Sequence, residues 1–279
     1  MNNSVEVGDV PAVETFDLVR RFGDFTAVDG VNLRVGRGQF FGFLGPNGAG
    51  KSTTIKMLTG LLAPTSGRVR VLGRDLAAES LEVKRRIGVV PEDLNLFERL
   101  TGAEMLTFTG RMYGLGREET RERGRELLAL MELDGEPKKL VVEYSHGMKK
   151  KLSLACALIH RPEILFLDEP FEGVDALASR TLKDLLLKLT ARGITVFLTS
   201  HVLEIVERLC THIAIITAGR LVVEGALDEL RRGIAVGEGD GRDAAGGGGG
   251  GEPVSLEDYF IRVIGGARPA GEDVLPWLA

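Results

Sequence analysis

Cysteine is nearly absent from this chain of 279 residues: only Cys156 and Cys210 occur, far apart and without the paired spacing of a zinc or redox motif. A disulfide-built scaffold is excluded, and the two thiols read as small buried hydrophobes in a reducing intracellular compartment. Positive charge is also in short supply. With 35 Lys and Arg against 40 Asp and Glu, the formal net charge of −5 lacks the basic excess of a general nucleic-acid binder, so no nucleic-acid partner is expected. No apolar run approaches the ~18 residues that a membrane helix needs. The polar start MNNSVEVGDVP has neither the basic nor the apolar stretch of a secretory signal. Any membrane role is therefore expected to come from a partner. There is no internal repeat.

What is present alternates. Short β-like runs at Phe40–Leu44, Ile87–Val90, Ile164–Leu167 and Thr195–Thr199 are separated by helical patterns. Nearly continuous apolar strands suit a sheet covered on both faces, so the expected class is α/β. From Leu100 to Arg161 the strand signals vanish, and helical stretches at Glu118–Leu133 and His146–His160 predict a helical subdomain over about 95–161. Val236–Glu252 is dominated by glycine, including the run Gly246–Gly251, and predicts a flexible linker. Beyond it, Ser255-Leu256-Glu257-Asp258 reads as the capping box of a short helix with Leu256, Phe260, Val263 and Ile264 on its apolar face. The expected divisions are a disordered 1–11, a main domain at 12–235, the linker at 236–252 and a C-terminal helix and tail at 253–279.

The strongest local signal follows the first of these strands. Gly45-Pro46-Asn47-Gly48-Ala49-Gly50-Lys51-Ser52-Thr53 satisfies G-x-x-x-x-G-K-[ST] between a strand and a helix. Glycines let the backbone turn tightly so that its amides face phosphate oxygens, and the helix N-terminus adds its dipole. Lys51 is expected to hold the β- and γ-phosphates of ATP, and Ser52 to offer its hydroxyl to Mg2+. Downstream, Ile164-Leu165-Phe166-Leu167 ends in Asp168-Glu169, placing two carboxylates at the C-terminal end of a strand, where open α/β sheets bind ligands. In this Walker B arrangement Asp168 is expected to support Mg2+ through its water shell, and Glu169 to accept or orient the proton of an attacking water.

Tyr144-Ser145-His146-Gly147-Met148 precedes a helix shortly before that pair. It resembles the signature Leu-Ser-Gly-Gly-Gln of ABC ATPases, with Ser145 and Gly147 matching and the other three departing, and is similar to the variant of exporters that use ABC-2 type permeases. A Ser hydroxyl, a Gly amide and a helix N-terminus still form an anion-seeking tip. The resemblance implies a P-loop NTPase core of the ABC ATPase type, with an inserted helical subdomain and a small N-terminal antiparallel β region. It also implies a second copy of the chain, because in this family the tip of one subunit contacts the γ-phosphate of ATP held by the other. Lys149–Lys151, just past the tip, read as a solvated face or, otherwise, as charge that favours the facing phosphate.

Further matches fall in family order. Phe22 in Arg21-Phe22-Gly23 resembles the aromatic that stacks on adenine. Thr199-Ser200-His201 resembles the segment whose histidine bonds the γ-phosphate, and Asp175 in Phe171-Glu172-Gly173-Val174-Asp175 matches the aspartate of the D-loop. Where the family has a glutamine that ligates Mg2+ and senses the permease, this chain has Glu92, still a hard oxygen donor for the ion or, alternatively, a hinge toward the helical subdomain. The segment Leu94–Leu100 after it resembles the groove for a permease coupling helix.

The function so implied is ATP hydrolysis at the cytoplasmic face of the membrane, driving a separate integral-membrane permease, with catalysis by Lys51, Glu169 and His201. The alternative is a soluble ABC ATPase acting on ribosomes or nucleic acid. Ribosomal members carry two cassettes where one is present here, and DNA-repair members insert a long coiled coil for which Thr53 to Ser145 leaves no room. A catalytically dead regulator is expected to lose Lys51, Asp168, Glu169 or His201, and all four are in place.

Overall fold

The computed structural model describes residues 10–231 together with Leu256 and Phe260. Two long strands, β1 (Val13–Phe22) and β2 (Phe25–Val35), open the chain. They are followed by β3 (Phe40–Leu44), α1 (Lys51–Leu58), β4 (Ser66–Val71), β5 (Arg74–Asp75), α2 (Ser80–Lys84) and β6 (Ile87–Val90). Three helices come next: α3 (Gly102–Met112), α4 (Arg117–Leu130) and α5 (His146–Leu158). The rest alternates as β7 (Ile164–Asp168), α6 (Ala176–Ala191), β8 (Thr195–Ser200), α7 (Leu203–Leu209), β9 (His212–Thr217), β10 (Arg220–Ala226) and α8 (Leu227–Arg231).

Six strands build the central sheet in the order β10-β9-β3-β8-β7-β6, parallel except for the edge pair of β9 and β10. Strands β3, β7 and β8 are buried along their whole length, because their apolar residues serve both faces. Phe40, Leu44, Leu165, Leu167 and Leu198 join one core with α5, α6 and α7, while Phe41, Phe43, Ile164, Phe166 and Phe197 point to the other side. There Phe41 and Phe197 stack with ring centroids 5.5 Å apart. An antiparallel sheet of order β2-β1-β4-β5 closes this second core through Val13, Leu18, Val31 and Val71, as the N-terminal β region expected from the sequence.

Between β6 and β7 the regular elements are helical. Helix α3 starts on a capping box, in which Thr101 Oγ1 accepts from the Glu104 amide at 3.2 Å and Glu104 Oε2 accepts from the Thr101 amide at 2.8 Å. The helices stop earlier than hydrophobic periodicity predicted. Helix α4 ends at Leu130 because Glu132 turns to φ +57°, and α5 ends at Leu158, with Arg161 at φ +59° leading into Pro162. Leu256 is buried and its amide donates to Glu207 Oε1 of α7 at 2.9 Å, with Phe260 packed on the same core. The expected linker at 236–252, the capping-box residues Ser255, Glu257 and Asp258, and Val263 and Ile264 lie outside the described residues, as does the N-terminal stretch up to Asp9. The C-terminal ends of β3, β6, β7 and β8 open on one edge of the sheet and release Gly45, Pro91, Glu169 and His201 there.

Candidate active site

The loop Gly45–Gly50 leads from β3 into α1, and two of its glycines are sterically required. A Cβ on Gly45 would lie 2.3 Å from the Ile216 carbonyl oxygen. Gly50 has φ +108°, and a Cβ there would lie 2.5 Å from the Ala27 carbonyl oxygen. As the N-cap of α1, Gly50 brings no side-chain cap, so the helix dipole faces the loop without a resident acceptor. Lys51 is buried and folds back over the loop, its Nζ donating to the carbonyls of Gly45 at 2.8 Å and Pro46 at 3.3 Å.

Asp168 at the end of β7 accepts a hydrogen bond from Thr199 Oγ1 of β8 at 2.6 Å. Ser52 Oγ lies 3.3 Å from Asp168 Oδ1 and 3.4 Å from Glu92 Oε2, so three hard oxygens converge. Glu169 is held by its backbone. Its amide donates to Thr199 Oγ1 at 3.0 Å, its carbonyl accepts from Lys150 Nζ at 3.0 Å, and its φ is +46°, a region that a non-glycine residue seldom occupies. Its Oε1 is buried 3.1 Å from His201 Nδ1 and 3.5 Å from Lys51 Nζ, yet neither contact is directed as a hydrogen bond. A buried carboxylate oxygen without a donor is costly, and such an atom in a cavity wall suits a polar ligand that completes it.

These groups line one cavity of about 370 Å³. Asn47, Gly48, Gly50, Lys51, Ser52, Thr53, Glu92, Glu169 and His201 face it, joined by Phe25, Ala27 and Glu172. Phe22 does not line it. Its half-exposed ring carries the Arg20 guanidinium 4.5 Å from the centroid, and Phe25 is its partner across the β1–β2 hairpin. Ala49 is buried within the loop, and Gly45 and Pro46 take part through their carbonyls.

Ser145, Gly147 and Asp175 form a separate group outside this cavity. Ser145 Oγ caps α5 by accepting from the Met148 amide at 3.2 Å, and Asp175 Oδ1 caps α6 by accepting from the Ala178 amide at 2.9 Å. The two caps are neighbours, since a Cβ on Gly147 would lie 3.3 Å from Asp175 Oδ2.

The expectation of a solvated face at Lys149–Lys151 is overturned. Lys150 and Lys151 are buried, Lys151 pairing with Glu132 at 2.8 Å and Lys150 reaching the Glu169 carbonyl. Burial lowers the Lys150 pKa, while Glu172, Asp168, Glu92 and Glu169 oppose that shift. The available signal is periodicity: Lys150 follows Gly147 by three residues and precedes Leu154 by four, which puts it on the buried stripe of α5. Phe25 and the Thr199 hydroxyl were missed as well, because both act through contacts made between separate strands.

A family model described as ABC transporter matches residues 28–172, a span that holds the phosphate loop, the Ser145 tip and the Asp168-Glu169 pair. The chain belongs to the ABC transporter family. This ABC cassette is 42% identical over 212 residues to the daunorubicin resistance ATP-binding protein DrrA3 of Streptomyces coeruleorubidus, covering 76% of this chain and 67% of that protein. It is 39% identical to the bacitracin transport ATP-binding protein BcrA of Bacillus licheniformis, over 79% of this chain and 71% of the relative. The solved structure of an ATP-binding subunit of an ABC transporter superposes with a TM-score of 0.79 at 31% identity, covering 91% of this chain and 99% of that one. The cassette MJ0796, as a dimer in a post-hydrolysis state bound to ADP and Pi, superposes with a TM-score of 0.71 at 27% identity, over 77% of this chain and 98% of that one. The cassette is thus a nucleotide-binding ATPase of a transporter, and these relatives favour that reading over a soluble one directed to ribosomes or nucleic acid. Among the described residues no helix is long and apolar enough to cross a membrane.

Proposed function

We propose that this cassette is the engine of an exporter. Two copies close head to tail around ATP and Mg2+, and the closure drives a separate ABC-2 type permease from the cytoplasmic face of the membrane. One observation carries this reading: Lys51, Ser52, Glu92, Glu169 and His201 meet on a single cavity, with Asp168 bonded beside them, while the Ser145 and Asp175 caps stand outside it. Groups with no role toward their own cavity suit a neighbour's nucleotide. Relatives named for drug resistance and bacitracin transport support export.

The residues present fit Mg2+. Ser52, Asp168 and Glu92 offer converging oxygens but too few to enclose an ion, and among the described residues no group of three or more His, Cys, Asp or Glu could hold one alone. Phosphates and water complete such a shell. When bound with ATP, Mg2+ supplies charge neutralisation across the β- and γ-phosphates.

The chain's own groups do the rest. Loop amides and Lys51 bind the phosphates, with Lys51 releasing its carbonyl partners to do so. Glu169 orients a water in line with the γ-phosphorus and takes its proton as the new P–O bond forms and the bond to the bridging oxygen of ADP breaks. His201, beside Glu169, steadies the γ-phosphate oxygens. Phe25, on the cavity wall, offers its ring to the base, with Phe22 as its cross-strand neighbour.

The test is tagged Glu169→Gln protein, expected to bind ATP without turnover, expressed in its native cell and purified from gently solubilised membranes. The expected result is a stoichiometric integral-membrane protein on mass spectrometry and an ATP-dependent dimer on size exclusion. Recovery only from the soluble fraction, with ribosomes, DNA or no partner, overturns the exporter reading.

A further inference from the structure

Lys150 has no part in the chemistry above, yet it is 2% exposed and its ammonium donates to the backbone of the very residue that handles water. A lysine is seldom buried unless its charge and hydrogens are used. Its stem lies among Val90, Leu154, Leu167, Pro170, Leu182 and Leu186, where an apolar side chain would serve packing as well. We infer that Lys150 is a positioning residue that ties the tip of α5 to Glu169, making hydrolysis at one nucleotide depend on engagement of the other.

Two side chains grip opposite ends of Glu169. Thr199 of β8 holds the amide and Lys150 of α5 holds the carbonyl, with φ at +46° between them. A residue in that conformation relaxes unless its surroundings over-determine it, and relaxation swings the carboxylate off its line. The grip from β8 is fixed in the central sheet. The grip from α5 is carried by the helix whose N-cap is Ser145, about one and a half turns before Lys150.

The same tip touches the chain beyond Glu169 twice more. A Cβ on Gly173, at φ +67°, would lie 3.0 Å from the His146 ring, and Gly147 sits against Asp175. The segment from Glu169 to Asp175 and the first turns of α5 therefore move together. Building on the proposed head-to-tail dimer, Ser145 engages the partner's ATP while Glu169 acts on its own. Lys150 spans the two.

The test compares full-length wild type, Lys150→Met, Lys150→Gln and Lys150→Arg by steady-state ATPase assays over a range of ATP concentrations, with thermal unfolding alongside. Lys150→Met is expected to lower kcat roughly 10- to 100-fold, the scale of a misplaced catalytic group, with KM for ATP changed less than about threefold. Cooperativity in ATP falls toward a Hill coefficient of about one, and Lys150→Arg, which keeps a cationic donor, recovers most of the rate. Lys150→Gln keeps a neutral donor on a shorter stem and gives the same kcat-only loss in milder form, so the result stands even where the Met variant does not fold.

Wild-type kcat and cooperativity in Lys150→Met or Lys150→Gln overturn the inference. So does a loss shared equally by kcat, KM and Tm that Arg does not rescue. ATP-dependent dimerisation of the separate Glu169→Gln variant is measured in parallel. Absence of that dimer sinks the function proposed above, whereas its presence with an unaffected Lys150→Met sinks only the coupling.

Discussion

The two ends of the proposed nucleotide cavity are built differently. At the phosphate end the decisive groups are held more than once. Asp168 is bonded by Thr199 and approached by Ser52, Glu169 is gripped at both of its peptide groups, and Lys51 is folded onto two carbonyls. At the other end Phe25 is 63% exposed and Phe22 46%, on a hairpin tip turned by Gly23 and Asp24. Chemistry on phosphorus needs sub-ångström placement, and buried strands with crowded glycines supply it. Stacking on a base is a contact between faces and tolerates play, so an exposed hairpin is sufficient. Rigidity has been concentrated where the reaction needs it.

Substitution in the loop is the most direct way to break this contrast. Gly50→Ala puts a methyl 2.5 Å from the Ala27 carbonyl at φ +108°, so either the loop or β2 has to shift. ATP affinity and hydrolysis are expected to fall on the order of 100-fold, the scale of a roughly 1 Å displacement. Gly48→Ala shares a positive φ, +78°, but meets open space. It costs only the backbone strain of about 1–2 kcal/mol, and hence about 5- to 30-fold at most in affinity. Calorimetric titration with ATP separates the two. Equal losses show that glycine's flexibility, and not close approach, governs the phosphate end.

That end was legible in the sequence because its parts are local. The loop, Lys51 and Ser52 lie within one strand-turn-helix unit, and Asp168-Glu169 ends a wholly apolar strand whose period-two split between cores fixes where the carboxylates emerge. The bonds that hold those parts were not legible. Thr199 reaches across from β8, and Lys150 looked like one of three solvated lysines until the packing of α5 on β6 and α6 buried it. Helix ends escape the apolar pattern for a related reason. Left-handed turns at Glu132 and Arg161 stop the helices while the apolar pattern runs on. At the base end Phe22 carries the family pattern, but hairpin register brings Phe25 to the cavity. No single-strand pattern encodes that.

The two phenylalanines sharpen the contrast at smaller scale. Phe25→Ala is expected to weaken ATP binding by about 5- to 30-fold, as the loss of roughly 1–2 kcal/mol of base stacking implies. Phe22→Ala, whose ring is occupied by Arg20, should cost about threefold or less. Neither should change kcat at saturating ATP, since both act before chemistry. A larger effect at Phe22 means that the hairpin rotates on binding and that the family position takes the base. A fall in kcat at either position breaks the division between a loose and a rigid end.

The smallest effect concerns the support beneath the rigid end. His160 stacks on Tyr113 with centroids 3.6 Å apart, and its Nε2 donates to the Ile87 carbonyl at 2.8 Å, at the start of the strand that ends just before Glu92. Burial lowers its pKa most, the bond to Ile87 opposes that, and the Arg123 charge lowers it further. Nδ1 is buried without a partner, so a second proton there has nowhere to donate. The folded state thus binds the proton less readily than the unfolded chain, whose histidine titrates near 6.5. The stabilisation is full above that pH and is lost as pH falls toward the lowered folded value. The Tm should drop by a few degrees between pH 7.5 and 5.5, given about 2–4 °C per kcal/mol at this size, and His160→Gln should flatten the decline. A Gln variant that declines as steeply assigns the loss to other groups. One that flattens it while ATP affinity stays constant shows the phosphate end keeping its geometry as its foundation weakens, as expected of a site fixed by several strands at once.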